Sequence, residues 1–167
     1  MTRTLILTRH AKSSWDNPGL DDHDRPLNAR GQRAAAAIGN WLNSRGYVPD
    51  AVVSSTAQRT RQTWDGIAPA FATPPQPDWQ AELYHADAER MLDVLRRAEG
   101  NTVLMIGHNP GIANFAQNLL ADPPSMPGFM RYPSGATTVI RFQNDAWAGT
   151  GFGAGQFIDF VKPRDLE

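Results

Sequence analysis

Hydrophobic and polar positions alternate along this chain in a repeating strand-then-helix rhythm. The apolar run Leu5-Ile6-Leu7, in a segment starting near Arg3, reads as a buried first strand that stops at Arg9-His10. Residues 12–27 are polar, with Pro18, Gly19 and four aspartates, and read as an irregular surface loop. Asn28 caps a helix predicted to continue to about Arg45 and end at Gly46, with Ala34, Ile38, Trp41 and Leu42 on its apolar stripe. Ala51-Val52-Val53 is a second strand, and Ser55 followed by Gln58 reads as a capping box opening a helix toward Ile67.

The proline-rich stretch 69–79 leaves room for no more than a short edge strand. Asp87 caps a helix carrying Met91, Leu92 and Leu95, and TVLMIG at 102–107 is the clearest buried strand. Asn109 as cap and Pro110 at the first helical position open a helix through Phe115 to Leu120. After a long loop, strands at 137–142 and 156–161 pair as a hairpin around a glycine-rich excursion. This order predicts an α/β fold: a three-layer sandwich with a mixed, mostly parallel central sheet flanked by helices, formed by residues 1–167 as a single domain.

Composition narrows the function. Sixteen Lys plus Arg against seventeen Asp plus Glu give a formal charge of -1, so a globally basic nucleic-acid binder is not expected. Arginine dominates the basic residues, since Lys12 and Lys162 are the only lysines; guanidinium forks suit planar recognition of oxyanions. The absence of cysteine removes disulfides, thiolate nucleophiles and sulfur-ligated metal sites. Histidines at 10, 23, 85 and 108 follow no HExxH pattern, and no metal or cofactor is expected. No apolar run approaches a membrane span, so no membrane partner is expected and the default location is the cytoplasm. Oligomeric state is not legible.

Three segments share one design of apolar strand, polar turn, then helix or loop: LILTRH, VVSSTAQR and VLMIGHN. In open α/β sheets ligands bind beyond the carboxyl ends of strands, and His10, Arg59 and His108 all fall there. Taken singly, each has a structural reading: a histidine satisfied by a loop, a solvated helix arginine, a salt-bridge partner. Two imidazoles and two guanidiniums (Arg9 and Arg59) at compatible strand ends suit a phosphoryl group better than a carbonyl.

The motifs carry a resemblance. LILTRHAKSSW resembles the RHG motif of the histidine phosphatase superfamily, the phosphoglycerate mutase-like group, with Ala11 in place of its glycine as in the SixA-type branch. DHDRPLNARGQRAA, the S-x-x-x-R-x-x-x-T pattern in VVSSTAQRTRQT, VLMIGHNPG and the YPSGA turn follow in family order. The resemblance implies a phosphoglycerate mutase-like fold, His10 as the phosphorylated nucleophile, Arg9 and Arg59 as phosphate clamps, and His108 as a transition-state stabiliser. It implies Glu82 as the acidic proton donor, with Asp21 and Asp24 as rivals, and Asn109 and Ala136 as further phosphate-binding positions. Asp24 and Arg25 are expected to form an ion pair that fixes their loop.

The implied reaction is metal-independent phosphoryl hydrolysis through phosphohistidine. Only 22 residues separate Arg59 from Glu82 and 25 separate Glu82 from His108, so a lid domain has no room there and an open cleft is expected. The expected substrate is a phosphohistidine-containing protein. A small phosphorylated molecule is the alternative, and a noncatalytic phosphoprotein-binding domain a third reading.

Overall fold

The structure, a computed structural model, describes all 167 residues. Six strands form one sheet in the order β3-β2-β4-β1-β5-β6: β1 Arg3–Arg9, β2 Ala51–Ser54, β3 Pro77–Trp79, β4 Thr102–Gly107, β5 Thr137–Phe142 and β6 Gln156–Val161. The neighbours β3, β2, β4 and β1 run parallel, whereas β5 is antiparallel to both β1 and β6. The sheet is therefore mixed and mostly parallel, as the alternation of elements predicts.

Helices cover both faces: α1 Ala29–Ser44, α2 Gln58–Ile67, α3 Ala88–Arg96 and α4 Gly111–Leu119. Alternation along the central strands sorts the core into two layers. Leu5, Leu7, Val103 and Met105 pack with α3 and α4 residues such as Leu95, Ile112 and Phe115. Ile6, Leu104 and Ile106 face the other way, onto Ile38, Trp41, Leu42, Trp64 and Ile67 of α1 and α2. Covered on both sides, the centres of β1 and β4 bury successive apolar residues, Leu5 to Leu7 and Val103 to Ile106, which is why they read as continuous hydrophobic runs rather than as alternations. No helix is long and apolar enough to cross a membrane.

Local chemistry sets most element ends. The Asn28 side chain accepts the Gly31 N–H at 2.8 Å and Asp87 accepts that of Arg90 at 2.8 Å, both satisfying orphan donors of a first helical turn. Gly46 follows α1 with φ 78°, the left-handed conformation that glycine adopts without a Cβ clash.

Two predicted caps are corrected. α2 begins at Gln58 behind Ala57 with no side-chain cap; Ser55 Oγ accepts the Ala57 N–H at 3.2 Å, ahead of the helix, and lies within hydrogen-bond distance of His108. α4 begins at Gly111 behind Pro110, because the Asn109 amide turns away to donate to the carbonyls of Arg131 and Tyr132, at 2.8 and 3.1 Å.

Register positions the site. Arg9 pairs with Gly107 across β1 and β4, and Ser54 pairs with Ile106 across β2 and β4. The residues just past these pairs, His10, His108 and Ser55, therefore emerge side by side at the carboxyl edge. Helix α1 holds the first of these exits down. A Cβ on Gly31 would sit 2.1 Å from the Lys12 carbonyl oxygen, so only glycine permits that approach.

Candidate active site

Arg9, His10, Lys12, Ser13, Trp15, Arg25, Arg59, His85, His108, Asn109 and Ser134 line a cavity of about 220 Å3 at this edge. A larger cavity of about 460 Å3 runs along β2 and β3, but no histidine lines it.

His10 is 7% exposed. Its Nδ1 donates to the carbonyl of Ala11 at 2.7 Å, which fixes the tautomer and leaves Nε2 unprotonated with its lone pair free. Burial first, then the charges of Arg9, Arg59 and Arg25, push its pKa down to about 3, against the opposing Ala11 bond. The ring is thus neutral at pH 7. The methyl of Ala11 packs in the core, and its N–H donates to Thr63 Oγ1 at 2.9 Å, so the alanine fits the turn that displays His10.

The His108 ring centroid lies 5.3 Å from that of His10. Its Nε2 is 2.8 Å from Ser55 Oγ, and its buried Nδ1 has no protein partner. Burial, with the nearby His10 and Arg59 adding to it, lowers its pKa to about 2. It is neutral at pH 7, and offers one N–H donor rather than an imidazolium.

Three guanidiniums line the cavity. Arg9 donates to the Tyr132 carbonyl at 3.1 Å while its buried Nε has no partner; burial and the charge of Arg59 lower its pKa. Arg59, 4% exposed in the first turn of α2, donates to the carbonyl and the Oδ2 of Asp22, at 2.7 and 3.0 Å. Arg25, expected only as an ion-pair partner that fixes its loop, lines the cavity; it donates to Asp22 Oδ1 at 2.8 Å and to Ser13 Oγ, and lies 3.4 Å from the Trp15 ring centroid. The partner of Arg25 is therefore Asp22, not the predicted Asp24, which lies 3.7 Å from His23 instead.

Asp22 also accepts from the Tyr84 hydroxyl at 2.5 Å. That bond, then those of Arg25 and Arg59, hold its carboxyl well below the ordinary carboxylate range despite some burial. It is ionised, does not line the cavity, and orients two of the three guanidiniums by their far sides.

Glu82 does not reach the cavity. Its carboxylate pairs with Arg97 and lies 3.9 Å from Arg90, on the flank of α3. Leu83 in between is buried, and the chain turns at His85, whose φ is 58°; His85 is the residue that lines the cavity, 3.7 Å from Asp22 Oδ2 and with its ring centroid 6.1 Å from that of His108.

Ala136 is corrected as well. Its N–H donates to Pro133 and its carbonyl accepts from Arg9, so neither group is free, and Ser134 lines the cavity in its place. Asn109 does line the cavity, but both its donors go to carbonyls, leaving a buried Oδ1 without a partner. Asp21 and Asp24 stand off the cavity wall, and no group of three or more metal-ligating side chains is arranged to hold an ion.

The arrangement can hold a dianion between three guanidiniums and present it to one neutral imidazole nitrogen. Comparison with known proteins agrees with that chemistry. The histidine phosphatase superfamily (branch 1) profile matches residues 5–82. The solved structure of a candidate phosphohistidine phosphatase SixA from Nakamurella multipartitia superposes with a TM-score of 0.81 at 32% identity, covering 98% of this chain and 97% of that one. An uncharacterised protein of Mycobacterium tuberculosis is 33% identical over 166 residues, 93% of this chain and 99% of its own. An uncharacterised chloroplastic protein of Arabidopsis thaliana is 35% identical over 128 residues, 66% of this chain; the match spans only 56% of that relative's length. The chain belongs to the histidine phosphatase superfamily, in its SixA-like branch.

Proposed function

We propose that this chain is a metal-independent phosphatase that removes a phosphoryl group through a covalent phosphohistidine at His10, acting on phosphohistidine in a protein. One observation carries the reaction. His10 spends its Nδ1 proton on Ala11, so a neutral Nε2 is held ready in a cavity lined by Arg9, Arg25 and Arg59.

In the first step the Nε2 lone pair attacks phosphorus as the bond from phosphorus to the substrate nitrogen breaks, and the departing imidazole takes up a proton from solvent. In the second, water attacks phosphorus and the bond to Nε2 breaks, returning its electron pair to Nε2 and restoring the neutral ring; hydrogen phosphate leaves with one proton of the water, and the other goes to solvent. The guanidiniums and the His108 N–H stabilise the oxygens as charge shifts among them.

Two features favour a protein-borne substrate. A cavity of about 220 Å3 is small beside the roughly 300–1,000 Å3 usual for small-molecule sites, which suits a phosphoryl group carried on a larger substrate. No carboxylic acid lines it, which suits a nitrogen leaving group that departs without a strong acid. The SixA structure from Nakamurella multipartitia, described as a candidate phosphohistidine phosphatase, supports the same choice.

The test is a panel of phosphohistidine protein, phosphotyrosine peptide and small phosphomonoesters, run with the parent and His10→Ala. The expected result is rapid turnover of phosphohistidine, no turnover by the variant, and an acid-labile label mapping to His10. Equal rates in the two proteins, or a label on another residue, overturn the mechanism. Faster turnover of a small phosphomonoester than of phosphohistidine protein overturns the substrate assignment.

A further inference from the structure

A second cavity, of about 330 Å3, adjoins the first. Lys12 and Ser134 line both, so the two share a wall. Its other polar lining is Arg30, Lys162 and Arg164, which brings both lysines of the chain to one place. Seven of the sixteen basic residues line the two cavities, and no acidic residue lines either, in a chain whose formal charge is -1. Positive charge is therefore concentrated here beyond what one phosphoryl group requires.

The cations are only partly compensated. Arg30 pairs with Glu167 at 3.2 Å and Lys162 lies 3.8 Å from Asp165, whereas Lys12 and Arg164 have no ion-pair partner. The Lys162 stem crosses the backbone of Gly128, whose φ is 86°, and its side chain is 20% exposed. An ammonium held partly out of water among like charges gains from an arriving anion.

We propose that this cavity is a subsite for a second anionic group on the substrate, a carboxylate or phosphate near the phosphoryl group that enters the His10 cavity. The inference rests on the phosphatase reading. In a protein substrate the group is an acidic side chain flanking the phosphorylated residue.

Calorimetric titration of His10→Ala protein, which cannot consume the ligands, tests this apart from turnover. Inorganic phosphate is the reference ligand. One pair of probes is a phosphotyrosine peptide flanked by glutamates and its glutamine counterpart; the other is fructose 1,6-bisphosphate and fructose 6-phosphate. In one pair the doubly anionic member should bind about tenfold more tightly than its counterpart, with the advantage shrinking as salt rises. Adding Lys162→Gln and Arg164→Gln should abolish that advantage and leave phosphate affinity within about twofold. A preference in the peptide pair assigns a carboxylate, and one in the sugar pair a phosphate. Equal affinities within both pairs, or a preference that survives the two substitutions, overturn the subsite. Absence of phosphate binding would instead overturn the phosphatase reading.

Discussion

Ser55 Oγ stands 2.8 Å from His108 Nε2, within hydrogen-bond distance of that ring nitrogen. Ser55 Oγ already accepts the Ala57 N–H at 3.2 Å, so its own hydrogen is free to point at Nε2. When the hydroxyl donates there, Nδ1 carries the ring's proton, and Nδ1 is the buried atom with no partner in the protein. A phosphoryl oxygen would complete it. Ser55 is a positioning residue in this account, since it acts on the substrate only through His108.

Ser55→Ala should therefore let His108 adopt either tautomer and lower kcat by roughly ten- to a hundredfold, equivalent to about 1–3 kcal/mol, with a smaller change in KM. Ser55→Thr, which keeps the hydroxyl, should recover much of the loss. An unchanged kcat in the alanine variant, with the protein folded, would show that the contact sets nothing in the reaction.

The two depressed histidines make stability fall on the acid side of neutrality. In the unfolded chain each takes up a proton near the ordinary value of 6.5, whereas in the fold His10 does so only at about 3 and His108 at about 2. Between those limits the unfolded state binds more protons, so acidification favours unfolding. The contribution is complete above pH 6.5 and is lost as pH falls toward 3, with a slope of at most about 1.4 kcal/mol per pH unit for each ring. Urea midpoints measured from pH 7.5 to 4.5 should decline in the parent and flatten in the His10→Asn, His108→Asn double variant. Parallel curves would remove both shifts from the account.

Glu82 and His85 should separate cleanly in kinetics. Glu82 is tied to Arg97 beside α3, so Glu82→Gln is expected to leave turnover within about twofold and to cost no more than the roughly 1 kcal/mol of a surface ion pair. His85 lines the cavity next to His108, so proton donation to a leaving group is the role that its substitution tests. His85→Gln should slow an alkyl phosphate about a hundredfold while sparing p-nitrophenyl phosphate, whose leaving group needs no acid. Equal slowing of both substrates would refute proton donation by His85.

The same pair of residues illustrates what a linear reading can and cannot reach. β1 and β4 were legible because strands buried on both faces carry successive apolar residues at their centres, and once those two lie side by side in parallel His10 and His108 follow from the Arg9–Gly107 register. Glu82 and His85 are only three residues apart, yet which of them meets the cavity is decided by a left-handed backbone conformation at His85, and no periodic pattern announces that. Asp22 and Asp24 pose the same problem inside one three-residue turn, where only the three-dimensional path tells which carboxylate faces Arg25 and Arg59. Ser55 and Asn109 carry good capping side chains, but Ser55 Oγ accepts the Ala57 N–H ahead of α2, and the Asn109 amide is turned by its bonds to the Arg131 and Tyr132 carbonyls, which leaves Oδ1 unpaired. Arg25 is the first of three arginines in the DHDRPLNARGQRAA segment, and nothing local marks it as the one that lines the cavity.

Backbone packing gives the last prediction. The Lys12 peptide lies against α1 so closely that a Cβ at Gly31 would meet Lys12 O at 2.1 Å and Lys12 N at 2.9 Å. Both atoms are backbone and cannot swing aside as a side chain would, so Gly31→Ala must displace either the helix or the segment that includes Ala11, whose carbonyl holds His10 Nδ1. Overpacking of this kind costs roughly 1–3 kcal/mol. Gly149→Ala is the matched control, because nothing lies within 4 Å of a Cβ there. Gly31→Ala should lower the denaturation midpoint and also depress kcat in the protein that remains folded, while Gly149→Ala does neither. A Gly31→Ala protein that loses stability but keeps full kcat would mean that the helix yields instead, and that the seat of His10 on Ala11 does not depend on α1.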